Sequence, residues 1–211
     1  MCIGKIFELF GCGGRRIDGH RYIDMGLPSG TLWADRNVGA DGVEDDGTFF
    51  QWGDFRPFVS VEDYKYRMDP ETGMYEKYSP IDRLSVLEAC DDAASVVMGE
   101  NWRTPNVEEC VELLMNSESA VTVDSSGTPI GIVFTSRVNG NELYFPYTGY
   151  HDFTGYVPGG GLVWTSELSS MSYMCPNIMF LEDVPGGPTV GVAMPSERQN
   201  GLNVRGVVRL D

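Results

Sequence analysis

Apolar positions along this 211-residue chain fall mostly into short runs between turn residues, and within the body only two stretches carry helical spacing. Leu84, Leu87, Cys90, Ala94 and Val97 form one stripe, which predicts a helix from about Ser85 to Met98 that Gly99 stops. That reading puts Asp91 and Asp92 mid-helix. A second helix is predicted from Asn106, an N-cap with Glu109 three residues on, the pairing that satisfies two orphan backbone donors. Its core face is Val107, Cys110, Leu113 and Leu114. Strand-like runs precede the pair at Tyr22 to Gly26, Thr31 to Ala34 and Thr48 to Trp52, with Leu27-Pro28-Ser29-Gly30 as the first turn. Others follow at Ile130 to Arg137, Glu142 to Phe145, Leu162 to Ser166, Ile178 to Leu181 and Asn203 to Leu210. Phe55 to Pro80 is aromatic and aperiodic, an ordered loop with a short hairpin around Pro70 to Gly73. Strands on both sides of a helical pair predict an α+β domain with an antiparallel sheet.

The first residues read differently. Ile3, Ile6, Phe7 and Phe10 stand at helical spacing before the glycines of Gly11 to Gly14, so residues 1–19 are expected to form an amphipathic tether. Residues 20–211 form the domain body. Leu9-Phe10-Gly11-Cys12 also has the look of a lipoprotein cleavage box, although Lys5 and Glu8 interrupt the apolar stretch before it.

Composition narrows the function classes. An apolar fraction of 42% with 11% aromatics suits a packed body, and Gly 26 with Pro 12 suits many turns. The formal net charge of −16 argues against nucleic acid, whose affinity rests on Lys and Arg displacing counterions. No run is long and apolar enough to span a bilayer. Cys2, Cys12, Cys90, Cys110 and Cys175 form neither a disulfide framework nor a zinc pattern. Cys90 and Cys110 are expected as buried thiols, which points to a reducing compartment.

Several segments, taken in order, resemble one family. They are Tyr22-Ile23-Asp24-Met25-Gly26-Leu27-Pro28-Ser29-Gly30-Thr31-Leu32-Trp33-Ala34, Asn37-Val38-Gly39-Ala40, Phe50-Gln51-Trp52-Gly53-Asp54 and Asp91-Asp92-Ala93-Ala94. Then come Trp102-Arg103-Thr104-Pro105-Asn106, Leu162-Val163-Trp164-Thr165-Ser166 and Gly201-Leu202-Asn203-Val204-Arg205-Gly206-Val207. Together they resemble the Fibrobacter succinogenes major paralogous domain family, found in gut Bacteroidetes and their phages. The resemblance implies a C-type-lectin-like fold: a twisted antiparallel sheet, two flanking helices and long loops on one side. Physical chemistry alone gives the same residues packing roles. Trp33, Trp52, Trp102 and Trp164 are rigid core anchors. Arg103 and Arg205 are expected to satisfy loop carbonyls, and one of them to meet the Asp91-Asp92 pair.

Catalytic chemistry finds little footing. His20 and His151 are the only histidines, no G-x-S-x-G elbow occurs, and Ser166 lacks a strand-turn-helix setting. Formylglycine-generating enzymes share the implied fold, but Cys175 lacks the second cysteine that resemblance would need. No cofactor is expected. Calcium stays open but unfavoured: Asp41, Glu44, Asp45 and Asp46 are dense without the EF-hand spacing, and Cys175-Pro176-Asn177 lacks the acid that lectin triplets carry. Gly159-Gly160-Gly161 precedes a strand and cradles no phosphate.

Recognition chemistry concentrates near the C-terminus. Tyr147, Tyr150, His151, Asp152, Phe153 and Tyr156 lie among glycines, Ser169, Ser170, Ser172, Tyr173 and Asn177 are similar in character, and Glu197-Arg198-Gln199-Asn200 follows. Tyr, Ser, Asn and Gly are what adaptable binding surfaces use. The implied fold places these loops on its ligand side, with Arg198 and Asn200 among the contacts. The expectation is a non-catalytic binding or adhesion module for a surface glycan or protein. It would be displayed on a phage virion or other extracellular surface, and would form a homo-oligomer or larger assembly through the tether. Two alternatives stand beside it: a decoration protein without a separate ligand, and an outer-membrane lipoprotein processed at Cys12.

Overall fold

The structure, a computed structural model, describes residues 15–169, 172–184 and 187–210; for 172–184, 187–189, 193 and 194 it describes the backbone. The tether residues Ile3, Ile6, Phe7 and Phe10 lie outside the described residues.

Strand β1 (Arg16–Ile17) turns through Asp18 and Gly19, both with positive φ, into β2 (His20–Asp24). Asp-Gly is the pair that such a two-residue hairpin turn requires. Residues 16–19, inside the span assigned to the tether, therefore belong to a sheet. β3 (Thr31–Ala34) pairs with β2, and the last strand pairs with β3, so the sheet ties the start of the described body to its end.

Two helices follow. α1 is Ala93–Met98 and α2 is Val107–Met115. The capping box at Asn106 and Glu109 forms as read, and Glu109 also binds Arg103 and Arg209. The first helix is much shorter than its apolar stripe predicts. Leu87 N–H bonds Ser166 O and Leu168 N–H bonds Ser85 O, so tertiary pairing takes the backbone that an earlier start would need. Asp92 then caps α1, accepting from Ala94 N–H at 2.9 Å. Cys90 consequently lies outside the helix and is exposed, whereas Cys110 is buried as expected. Among the described residues neither Asp91 nor Asp92 meets an arginine through a hydrogen bond: Arg103 pairs with Glu109, and Asp92 accepts from Thr104 at its N–H and hydroxyl.

Next comes a meander of β4 (Ser117–Val123), β5 (Pro129–Ser136) and β6 (Glu142–Pro146), then a small hairpin of β7 (Tyr150–Asp152) and β8 (Gly155–Val157). A second meander holds β9 (Gly161–Ser169), β10 (Ser172–Val184) and β11 (Gly187–Pro195), and β12 is Val207–Arg209. Every strand-to-strand ladder is antiparallel. With 37% strand and 10% helix the protein is mostly β, and α+β describes its class. Ser172 to Asn177, expected in a loop, is strand, with the register broken around Pro176, which has no N–H to give. Thr48 to Trp52 holds only bridges at Phe50, because its partners Pro57 and Leu202 belong to loops.

Two cores share a wall. Leu32, Ala34, Trp164 and Val208 pack into one cluster, while Trp33, Val163 and Val207 pack into the other. Strands covered on both faces read as continuous apolar runs, which is why Thr31-Leu32-Trp33-Ala34 shows no alternation. All four tryptophans are core, and Trp52, Trp102 and Trp164 each donate Nε1–H to a carbonyl at 2.7–3.1 Å. Buried Arg205 donates to Asn37 Oδ1 at 3.0 and 2.9 Å and to Ala34 O, with Phe145 beneath it. Burial pulls its pKa down to about 9, so it stays charged at neutral pH.

Candidate binding site

The β7–β8 hairpin is held at both ends. At its tip Asp152 Oδ1 accepts from Thr154 N–H at 2.7 Å and from the Thr154 hydroxyl at 2.6 Å. Those bonds hold the Asp152 carboxyl below the usual carboxylate range. At its base His151 and Gly201 exchange backbone hydrogen bonds of 2.9 and 2.8 Å. This exchange brings the hairpin and the 196–201 turn together, a convergence that sequence spacing does not disclose.

The His151 ring then completes an aromatic cluster. Phe49 meets it edge-on at 4.9 Å, Phe58 lies at 5.0 Å and Tyr156 at 5.3 Å between centroids. Such pairs contribute about 0.5–1.5 kcal/mol each beyond their burial. Tyr156 also donates its hydroxyl to Thr148 O at 3.1 Å. The result is a stiff base beneath two uncovered rings: Phe153 is 84% exposed and Tyr156 53%.

The loop after Phe55 extends the surface. Phe58 N–H bonds Phe49 O, and Gln51 Nε2 donates to Ser60 O at 3.1 Å and to Gln199 O at 2.9 Å. Arg56 grips both oxygens of Asp54, with Nη2 2.5 Å from Oδ2. Gln51, Asp54, Arg56, Pro57, Val59 and Asp63 line a cavity of about 280 Å³. Val59 on its rim is 77% exposed. The cavity and the aromatic cluster share the loop around Phe58, and Gln51 in the cavity wall donates to Gln199 O in the neighbouring turn.

The expected contact residues divide on this geometry. Tyr150, His151, Asp152, Phe153 and Tyr156 sit together on the hairpin. Asn200 joins them through the neighbouring turn, where its Nδ2 reaches Ser196 Oγ at 3.3 Å. Tyr147 is half-buried against the second core. Ser172, Tyr173 and Asn177 lie on β10, where only backbone is described. Arg198 is a correction: it is fully buried, donates to Lys77 O at 3.0 Å and Tyr78 O at 2.5 Å, and stacks over Tyr75 and Trp52. Its fork of donors satisfies loop carbonyls, which leaves it nothing to offer a ligand. Phe49, Phe58, Gln51 and Val59 were not anticipated. Phe49 and Phe58 are a bonded pair across a loop, and no periodicity marks that.

Comparisons with protein-family models, with curated proteins and with solved structures return no match for this chain.

Among the described residues, one cluster has metal-ligand character. Single donor atoms of Glu88, Cys90 and Asp91 lie within 4.8 Å of one another. The Lys77 ammonium bridges its two carboxylates, at 2.5 Å from Glu88 and 2.6 Å from Asp91. Lys65 adds a second ammonium 2.5 Å from Asp91. A cation would have to displace these side chains. The buried Cys110 thiol is pushed well up by burial, which makes it a core group rather than a nucleophile. Both histidine rings contact aromatics, His20 meeting Trp102 and His151 the cluster above. No described helix is long and apolar enough to cross a membrane.

Proposed function

We propose that this protein is a non-catalytic binding module that meets its ligand on the surface built from the β7–β8 hairpin, the Phe58 loop and the turn before Gly201. One observation carries the reading: Phe153 is left largely in water and Tyr156 half in water on a hairpin that is fixed at its tip and its base. A pre-ordered aromatic loses little entropy on contact and offers a large apolar face. The adjoining cavity, lined by Pro57 and Val59 as well as Gln51, Asp54, Arg56 and Asp63, adds a mixed polar and apolar wall. The ligand class that suits this mixture is a glycan or a protein loop.

The motif segments that resemble the Fibrobacter succinogenes major paralogous domain support a C-type-lectin-like reading of the mostly antiparallel body. On that reading the display site is a virion or another extracellular surface, with the segment before Arg16 joining the assembly. A glycan array probed with the purified chain tests the proposal. Binding that Phe153→Ala abolishes is the expected result, and binding unchanged in that variant would remove the hairpin from the site.

A further inference from the structure

We infer that a second concave site, on the β1–β2 hairpin, binds a small oxyanion through Arg16 and Arg21. These two arginines are direct cross-strand partners in the β1–β2 hairpin. Like charges directly opposite in an antiparallel pair are destabilising, since their Cβ atoms are only about 4.5–5.5 Å apart. The pair nonetheless faces one cavity of about 250 Å³, whose far wall is Arg36 and the chain after it.

The local charges assign the roles. Asp35 is buried and accepts two hydrogen bonds from Arg36, of 2.9 and 3.0 Å. Arg36 also donates to Asp41 O, and the Asp41 and Asp45 carboxylates act on it from its own loop. Arg36 is thus already neutralised. Arg21 shares the same carboxylate more loosely: its Nε pairs with Asp35 Oδ2 across 3.7 Å, beyond hydrogen-bond reach, so its N–H donors stay unspent although its side chain is only 17% exposed. Arg16 uses one N–H on Gly19 O at 2.6 Å and keeps the rest of its fork. Unused guanidinium donors beside a cavity, in a chain of net charge −16, mark a place where an anion gains and the protein loses a repulsion. The volume lies a little below the range of drug-sized pockets, so it takes one charged group rather than a large ligand. A carboxylate, a sulfate and a phosphate share the planar or tetrahedral oxygens that this fork accepts.

The test is thermal unfolding of the full chain at low ionic strength, titrated with sodium glucuronate, sodium sulfate or sodium phosphate against sodium chloride at matched ionic strength. The expected result is a saturable rise in Tm for at least one oxyanion, with chloride giving only a featureless drift. Which anion saturates separates a sugar carboxylate from a sulfate or phosphoryl group. Arg21→Gln is expected to weaken the midpoint at least about tenfold, equal to about 1.4 kcal/mol. Arg16→Gln, at an exposed position, gives the same loss if Arg21→Gln does not fold. Responses identical to chloride, or saturation unchanged in Arg16→Gln, would overturn the site.

Discussion

His151 and Gly201 exchange both backbone hydrogen bonds although fifty residues separate them, and the Phe58 ring lies against Gly201 where a side chain would stand. A Cβ at Gly201 would come within 2.6 Å of that ring. The absence of a side chain there lets Phe58 reach His151, and the hairpin takes its position from that contact.

Gly201→Ala is therefore expected to push Phe58 out and loosen the hairpin, at a cost of about 1–3 kcal/mol as for other overpacked sites. Urea unfolding measures the loss. His151 ring resonances moving toward solvent-like shifts would locate it.

Phe153→Ala separates binding from folding. Its side chain is almost wholly in water, so stability should stay within about 0.5 kcal/mol of the parent. Affinity for whatever ligand the array identifies should fall by about tenfold or more, as for an aromatic anchor. A variant that loses stability instead would make Phe153 a packing residue.

Arg198→Met tests the opposite assignment. Removing the guanidinium orphans the carbonyls of Lys77 and Tyr78 and uncovers the Tyr75 ring. The expected loss is roughly 2–4 kcal/mol in chemical denaturation, with ligand affinity of the folded fraction unchanged.

Acid should unfold the protein through its hydrogen-bonded carboxylates. Burial opposes ionisation of Asp91, but hydrogen bonds from Lys65, Lys77, Tyr66 and Tyr78 outweigh it and hold its carboxyl far below the usual range. Asp82, Asp124 and Asp152 are lowered as well. A folded pKa below the unfolded one gives stability that is full above about pH 4 and lost as pH falls through the folded value. Asp92 runs the other way, raised by burial, and offsets part of the loss. A Tm profile from pH 7 to pH 2 should fall below about pH 4, and Asp91→Asn should flatten that fall.

The sequence on its own determined the local elements whose physics is local. The capping box at Asn106 and Glu109, the short run Thr31 to Ala34 and the core role of the four tryptophans all followed from neighbouring side chains. Where another part of the chain competes for the same backbone, the tertiary structure decided. Pairing with β9 takes the first turns of the stripe at Ser85, which shortens α1 and exposes Cys90. Arg198 and Asn200 look alike as loop residues, yet Arg198 turns inward because two carbonyls from the segment around Tyr78 arrive there unpaired. The candidate surface itself arises from long-range pairing, since Phe49, Phe58, His151 and Gly201 come from three distant segments. A hydrogen bond or ring contact across a hundred residues leaves no period in the sequence, because its partner is chosen by chain geometry and not by the residues beside it.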